Sequence, residues 1–243
     1  MTDETQEMSD PEPKRSFSET CNYGKMNYWD ARYMNFSSPF EWYCGFADIE
    51  DIITRYCPKD ANVLIAGSGN SLLSKDMCDR GYSFIRNIDF SRVVIDQMKM
   101  RYKKYADIMK WEQMNCIDML IDDNAFDCVI DKGTLDSIFC TDDVEIAVKR
   151  YCSEVERVLK PHGVWIVISC GAPEVRLELF ENDDVQSDNF MSFDCTVFAI
   201  EKPLLDNFYP DEEKYFYVYV CKKDEVKAKQ KRKKKAMANS KTK

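Results

Sequence analysis

The run Val63-Leu64-Ile65-Ala66-Gly67-Ser68-Gly69-Asn70-Ser71 carries the strongest chemical signal, an apolar strand that enters a two-glycine turn and leaves into a helical pattern. Glycines at such a turn let the chain leave the strand sharply and let backbone approach a ligand. Twenty residues after Gly69 a second strand ends at Ile88-Asp89-Phe90. An acid at that place accepts from both hydroxyls of a ribose. The competing role for Asp89, a cap on the next helix, is filled as readily by Ser91. Nicotinamide dinucleotides and S-adenosylmethionine (SAM) share this acid, so the glycine turn must separate them. A dinucleotide turn wants Gly or Ala where Leu72 stands, so that the helix packs close to a pyrophosphate. Leu72, with Asn70 directly after the second glycine, favours SAM, and 243 residues leave little room for a dehydrogenase's separate substrate domain.

Other chemistries find few residues. The single histidine, His162, stands in the turn sequence Lys160-Pro161-His162-Gly163 and reads as structural. The 11 cysteines are scattered without a Cys-x-x-Cys pair, which argues against a disulfide framework and against a structural zinc site. They read as free thiols used as small hydrophobes, and no metal site is expected.

Elements that would position the glycine turn and Asp89 alternate along the chain. Strands are expected at Asn62–Ala66, Phe84–Ile88, Lys110–Asn115, Phe126–Ile130 and Val164–Cys170. Helical spacing marks Ser91–Tyr105 and Val144–Leu159, the second with Val148, Tyr151, Cys152, Val155 and Leu159 on one side. Such alternation implies an α/β fold, a doubly wound, Rossmann-like parallel sheet with helices on both faces. Phe193–Ile200 and Lys214–Cys221 then read as two strands joined by a Pro-containing loop, an antiparallel close to the sheet.

The charge layout is bipolar. Lys222–Lys243 carries eleven Lys/Arg and two acids, or +9, so a net charge of −9 leaves about −18 on the remainder. An acidic body does not suit a nucleic-acid enzyme, which needs clustered positive charge; it suits a cationic cofactor and a lysine-bearing substrate, and equally plain solubility. Residues 1–20 read as a disordered acidic lead and 223–243 as a disordered basic tail around a domain at 21–222. Any nucleic-acid contact is expected through that tail, which reads as an import signal, an RNA-binding arm or a solvated end. No apolar run approaches membrane-spanning length and the first residues lack a signal-peptide core, so a cytoplasmic address, with nuclear entry open, is expected. A monomer is expected as well.

Five runs in order carry a family resemblance: Tyr28-Trp29-Asp30-Ala31-Arg32-Tyr33, Phe40-Glu41-Trp42-Tyr43, the Gly67–Ser71 turn, Asp131-Lys132-Gly133-Thr134-Leu135-Asp136 and Tyr217-Val218-Tyr219-Val220-Cys221. From Tyr28 to Lys222 the chain resembles the eukaryotic lysine methyltransferases that act on translation elongation factor 1-alpha, the group related to the methyltransferase-like region of endothelin-converting enzyme 2. The resemblance implies a seven-stranded class I methyltransferase sheet, mostly parallel with its last strand antiparallel, SAM as cofactor and a protein lysine as substrate. It implies that Trp29 and Tyr33 on an N-terminal helical lid, and Trp42 after it, contact the cofactor. Gly67 and Gly69, with Asn70 following them, approach the methionine part; Asp89 holds the ribose and Phe90 lies against the adenine. Asn115 and Cys116 stand where the family resembles Met-Asp-x, so a neutral amide replaces the carboxylate that accepts from the adenine amino group. Asp131 and Lys132 border the methyl-transfer site.

The aromatics also read as ordinary core, Lys132 as a solvated loop lysine and Asp136 as a helix-start cap. A desolvating pocket walled by Phe40, Trp42, Tyr43, Phe193 and Phe198 would lower the acceptor lysine's pKa without an obligatory base. The alternatives are methylation of another protein or a small molecule, and a non-catalytic SAM-binding scaffold.

Overall fold

The computed structural model describes residues 22–181, 191, 193–202 and 214–224. The lead at 1–20, the loop joining the last two strands and nearly all of the basic tail lie outside the described residues. The chain opens with helix α1 (Met26–Asn35), a 3-10 turn at Phe46–Asp48 and helix α2 (Glu50–Tyr56). There follow β1 (Val63–Ala66), α3 (Leu73–Asp79), β2 (Ile85–Asp89), α4 (Arg92–Arg101), β3 (Met109–Gln113), β4 (Phe126–Lys132), α5 (Thr134–Ile138) and α6 (Val144–Val158). β5 (Leu159–Ser169), α7 (Pro173–Phe180), β6 (Phe193–Glu201) and β7 (Tyr215–Lys223) complete the order.

The strands form one seven-stranded sheet in the order β3-β2-β1-β4-β5-β7-β6. β1 is parallel to both β2 and β4, β2 to β3 and β4 to β5, whereas β7 is antiparallel to β5 and β6. The doubly wound sheet with an antiparallel last strand is therefore present. All four residues of β1 are buried, as a strand covered on both faces requires. One face packs Ile53, Met77, Val94 and Met98 of α2, α3 and α4 on Val63, Ile65 and Ile130. The other packs Leu135, Tyr151, Val155 and Phe180 of α5, α6 and α7 on Leu64, Val129 and Trp165. Strand order reverses between β1 and its neighbours β2 and β4, which opens a crevice beyond the carboxyl ends of these strands.

Helix α6 buries Val148, Tyr151, Cys152 and Val155 on the expected side, but Leu159 already belongs to β5. The Ser91–Tyr105 segment divides into α4 and a 3-10 turn at Lys103–Tyr105; Ser91 caps α4, its Oγ accepting from the Val94 N–H. Lys160–Gly163 bulges out of the sheet, since Phe126 pairs with Leu159 but Cys128 with Val164. His162, exposed at φ 62°, belongs to that bulge. The domain runs past the expected boundary at 222. Lys223 continues β7 and is buried, its Nζ donating to the carbonyls of Glu156 and Leu159. The ten described cysteines are free thiols. Among the described residues no helix is long and apolar enough to cross a membrane.

Candidate active site

At the crevice lies a cavity of about 400 Å³, floored by the ends of β1, β2 and β4 and covered by α1 and the segment after it. Its floor begins at the glycine turn. Gly67 has φ +63°, and a Cβ there would come within 2.1 Å of Thr134 Oγ1; Gly69 has φ +52°, and its Cβ would lie 2.9 Å from the Tyr33 hydroxyl. Both the left-handed backbone and the close neighbours demand glycine. Ser68 between them is buried on the cavity wall, and its Oγ has no hydrogen-bond partner among the described residues.

Asp89 ends β2 at the cavity edge. Its Oδ2 accepts from the Gly69 N–H and its Oδ1 from the Ser91 N–H, each at 2.9 Å. Burial raises its pKa to about 6, against the opposing pull of those two N–H groups. The carboxylate thus fixes the glycine turn and still has lone pairs to offer a ligand. Phe90, Asn115 and Cys116 line the same end of the cavity. Asn115 Oδ1 accepts from the Ile117 N–H at 3.2 Å, so its amide is held by the local turn. Burial pushes the Cys116 thiol far above its ordinary range, keeping it neutral.

The cover is aromatic. Trp29 and Tyr33, one helical turn apart on α1, stack with ring centroids 5.7 Å apart, and Trp42 meets Trp29 edge-on at 6.1 Å. Trp29, Tyr33 and Trp42 line the cavity, and Trp29 and Tyr33 are also buried among other side chains. Asn70 Nδ2 donates to the Ser38 carbonyl, fastening the cover to the glycine turn. Burial, then the neighbouring Asp89, holds the Tyr33 hydroxyl in its neutral form.

Asp131 and Lys132 part company. Lys132 lines the cavity, but its Nζ donates to Glu41 and to the carbonyls of Trp42 and Cys44, both at 3.2 Å. It is neither a solvated lysine nor a free cation. Asp131 does not border the cavity: consecutive strand residues face opposite sides, and its carboxylate is fully buried on the other face. There it accepts from the Thr134 and Leu135 N–H groups at 2.8 and 3.0 Å and from the Tyr151 hydroxyl at 2.7 Å, anchoring the start of α5. Burial lifts its pKa to about 7.

Of the five expected aromatic wall residues, two, Phe40 and Trp42, line the cavity. Tyr43 instead donates its hydroxyl to Asp136 at 2.7 Å and stacks on Phe216. Phe193 opens β6 opposite Lys223, the last residue of β7, and packs against Trp165; Phe198 meets Tyr56. Because β6 runs in the direction of β5, its start lies at the end of the sheet away from the cavity.

Two carboxylates with central positions were not assigned these roles from sequence. Asp136 is not the cap of α5: it accepts from Tyr43, Ser169, Arg176 and the Cys170 N–H, joining the cover to the ends of β5 and α7. Glu41 accepts from Lys132, Ser71 Oγ and the Leu72 N–H. Ser137 and Thr141, also in the lining, carried no pattern that marks them.

The parts fit SAM. The Asp89 carboxylate, the Ser68 hydroxyl on the glycine turn and an aromatic cover converge on one cavity at the switch point of the sheet. Fold and site together define a methyltransferase domain.

Comparison with known proteins agrees. Residues 64–167 match the family model described as a methyltransferase domain. The chain is 31% identical over 182 residues to EEF1A lysine methyltransferase 4 of Mus musculus, covering 70% of this chain and 69% of that protein. It is 36% identical over 151 residues to the eEF1A lysine and N-terminal methyltransferase of Mus musculus, covering 60% of this chain but 22% of that longer protein. Among solved structures, a SAM-dependent methyltransferase from Aquifex aeolicus superposes with a TM-score of 0.54 at 14% identity, over 79% of this chain and 97% of that one. The N-methyltransferase NodS from Bradyrhizobium japonicum, solved with S-adenosyl-L-homocysteine (SAH), gives 0.52 at 12% identity, over 73% and 88%. These two likenesses speak for the fold. The chain belongs to the class I SAM-dependent methyltransferases, in the family that includes EEF1A lysine methyltransferase 4.

Proposed function

We propose that this protein methylates a lysine of translation elongation factor 1-alpha. The observation that carries the reading is its relationship, at 31% and 36% identity, to two proteins both named for lysine methylation of that factor.

The geometry supports an acceptor of this kind. When bound, SAM supplies an electrophilic methyl group on a positively charged sulfur. The chain's own task is to hold an uncharged amine in line with it, and positioning supplies most of the acceleration. A free lysine has a pKa of about 10.4, so deprotonation at pH 7 costs about 4.6 kcal/mol. Phe40, Trp42 and Trp29 offer apolar surface that disfavours the ammonium and lowers this cost. The described titratable groups of the lining are otherwise engaged or neutral: Asp89 holds the glycine turn, Lys132 is paired with Glu41, and Cys116 is a buried thiol. No side chain is therefore assigned as an obligatory base.

The test is transfer of radiolabelled methyl from SAM to purified elongation factor 1-alpha, with Asp89→Ala and unrelated proteins as controls. Label on the factor alone, lost in Asp89→Ala, is the expected result. Absence of label from a protein that binds SAM would overturn this substrate and leave the methyltransferase class standing.

A further inference from the structure

A lysine in the wall of a cavity for a sulfonium cofactor poses an electrostatic problem. Lys132 lines that cavity with its side chain only 5% exposed. An unpaired ammonium there would repel the positively charged sulfur of SAM across a poorly screened interior. The structure resolves the conflict through Glu41. Its carboxylate pairs with Lys132 Nζ and takes further hydrogen bonds from Ser71 Oγ at 2.8 Å and from the Leu72 N–H. Two backbone carbonyls, of Trp42 and Cys44, accept from the same Nζ. The pair thus joins β4, the cover and the helix entry after the glycine turn while adding no net charge to the wall.

We propose that the Glu41–Lys132 pair sets the cavity's discrimination between SAM, whose sulfur is positive, and its product SAH, whose sulfur is neutral. Glu41 is then a positioning residue with an electrostatic duty: it cancels the charge that Lys132 would otherwise present in the cavity wall. A latch with no electrostatic duty would support both ligands equally. A charge-balancing pair must affect them unequally, and the sign must depend on which partner is removed. The inference rests on SAM being the ligand of this cavity.

The experiment is calorimetric titration of the full-length protein with SAM and with SAH at low ionic strength, for the wild type, Glu41→Gln, Lys132→Met and the double variant, with thermal unfolding to confirm that each is folded. Glu41→Gln leaves the cation uncancelled and should weaken SAM about three- to tenfold more than SAH. Lys132→Met leaves the carboxylate alone and should move the SAM-to-SAH ratio the other way. The double variant removes both charges and should return the ratio to within about twofold of the wild type. Parallel losses for both ligands, an unchanged ratio, or shifts of the same sign in the two single variants would overturn the proposal and reduce the pair to a latch. A wild-type protein that bound neither ligand would instead sink the assignment of the cavity to SAM, and this inference with it.

Discussion

Two buried carboxylates, Asp89 and Asp131, are raised by the same cause and do different work. Burial carries Asp89 to about 6, and its carboxylate is the acceptor proposed for the ribose hydroxyls. Below that value a proton occupies an acceptor position, so SAM affinity should fall as pH drops through about 6 and level off above it. Titrating SAM binding from pH 5 to 8 checks this; a slope that persists unchanged in Asp89→Asn would assign it to another group. Asp131, raised by burial to about 7, bonds among the described residues to the start of α5 and to Tyr151. Its folded pKa lies above the ordinary carboxylate value of about 3.9, so its contribution to stability is complete below about pH 4 and is lost as pH rises through about 7. Asp131→Asn should therefore flatten the dependence of unfolding free energy on pH in that window. Its SAM affinity should stay close to wild type, because the side chain lies outside the cavity. A variant of normal stability that failed to bind SAM would contradict this placement.

At the scale of elements, the contact between α1 and the glycine turn decides whether the site closes. A Cβ on residue 69 would press on the Tyr33 hydroxyl at 2.9 Å, with the Tyr33 ring carbon behind it at a comfortable 3.8 Å. Gly69→Ala should weaken SAM binding through this contact and through its φ of +52°, whose strain is about 1–2 kcal/mol. Adding Tyr33→Phe removes the nearer atom and leaves the strain. The double variant should then bind SAM better than the sum of the single losses, by about 1 kcal/mol in a mutant cycle of calorimetric affinities; strict additivity would show that α1 does not meet the turn. The turn and Asp89 were legible in the sequence because their signal is local: a buried strand, two glycines and an acid at fixed spacing. Glu41 and Asp136 were not, since Lys132 lies 91 residues from Glu41 and Tyr43 lies 93 from Asp136, and no periodicity reports such pairings. The resemblance put Asp131 at the site beside Lys132, but successive strand residues face opposite sides of a sheet. Phe193 was taken for a cavity wall because a strand's direction, which puts its first residue at the far end of the sheet, is not written in its composition.

For the molecule as a whole, the last strand carries the chain away from the cavity. β7 runs antiparallel to β5, pairing Lys222 with Val164 just after the Lys160–Gly163 bulge, so the chain leaves the sheet at the end opposite the cavity. Lys223 closes the domain there, its ammonium serving the carbonyls of Glu156 and Leu159 where α6 gives way to β5. Removing the charge after this point tests whether catalysis needs it. Truncation after Asp224 keeps Lys223 and should leave SAM affinity and turnover on purified elongation factor within about twofold of wild type. Truncation after Lys222 also removes a buried charged donor from two carbonyls and should cost about 1–3 kcal/mol of stability. Chemical unfolding and steady-state kinetics on the two truncations separate the roles: loss in the shorter chain alone marks Lys223 as a structural closure. Loss of turnover in the longer one, at normal stability, would make the basic sequence part of substrate engagement and would move the functional reading toward a protein that works through its tail.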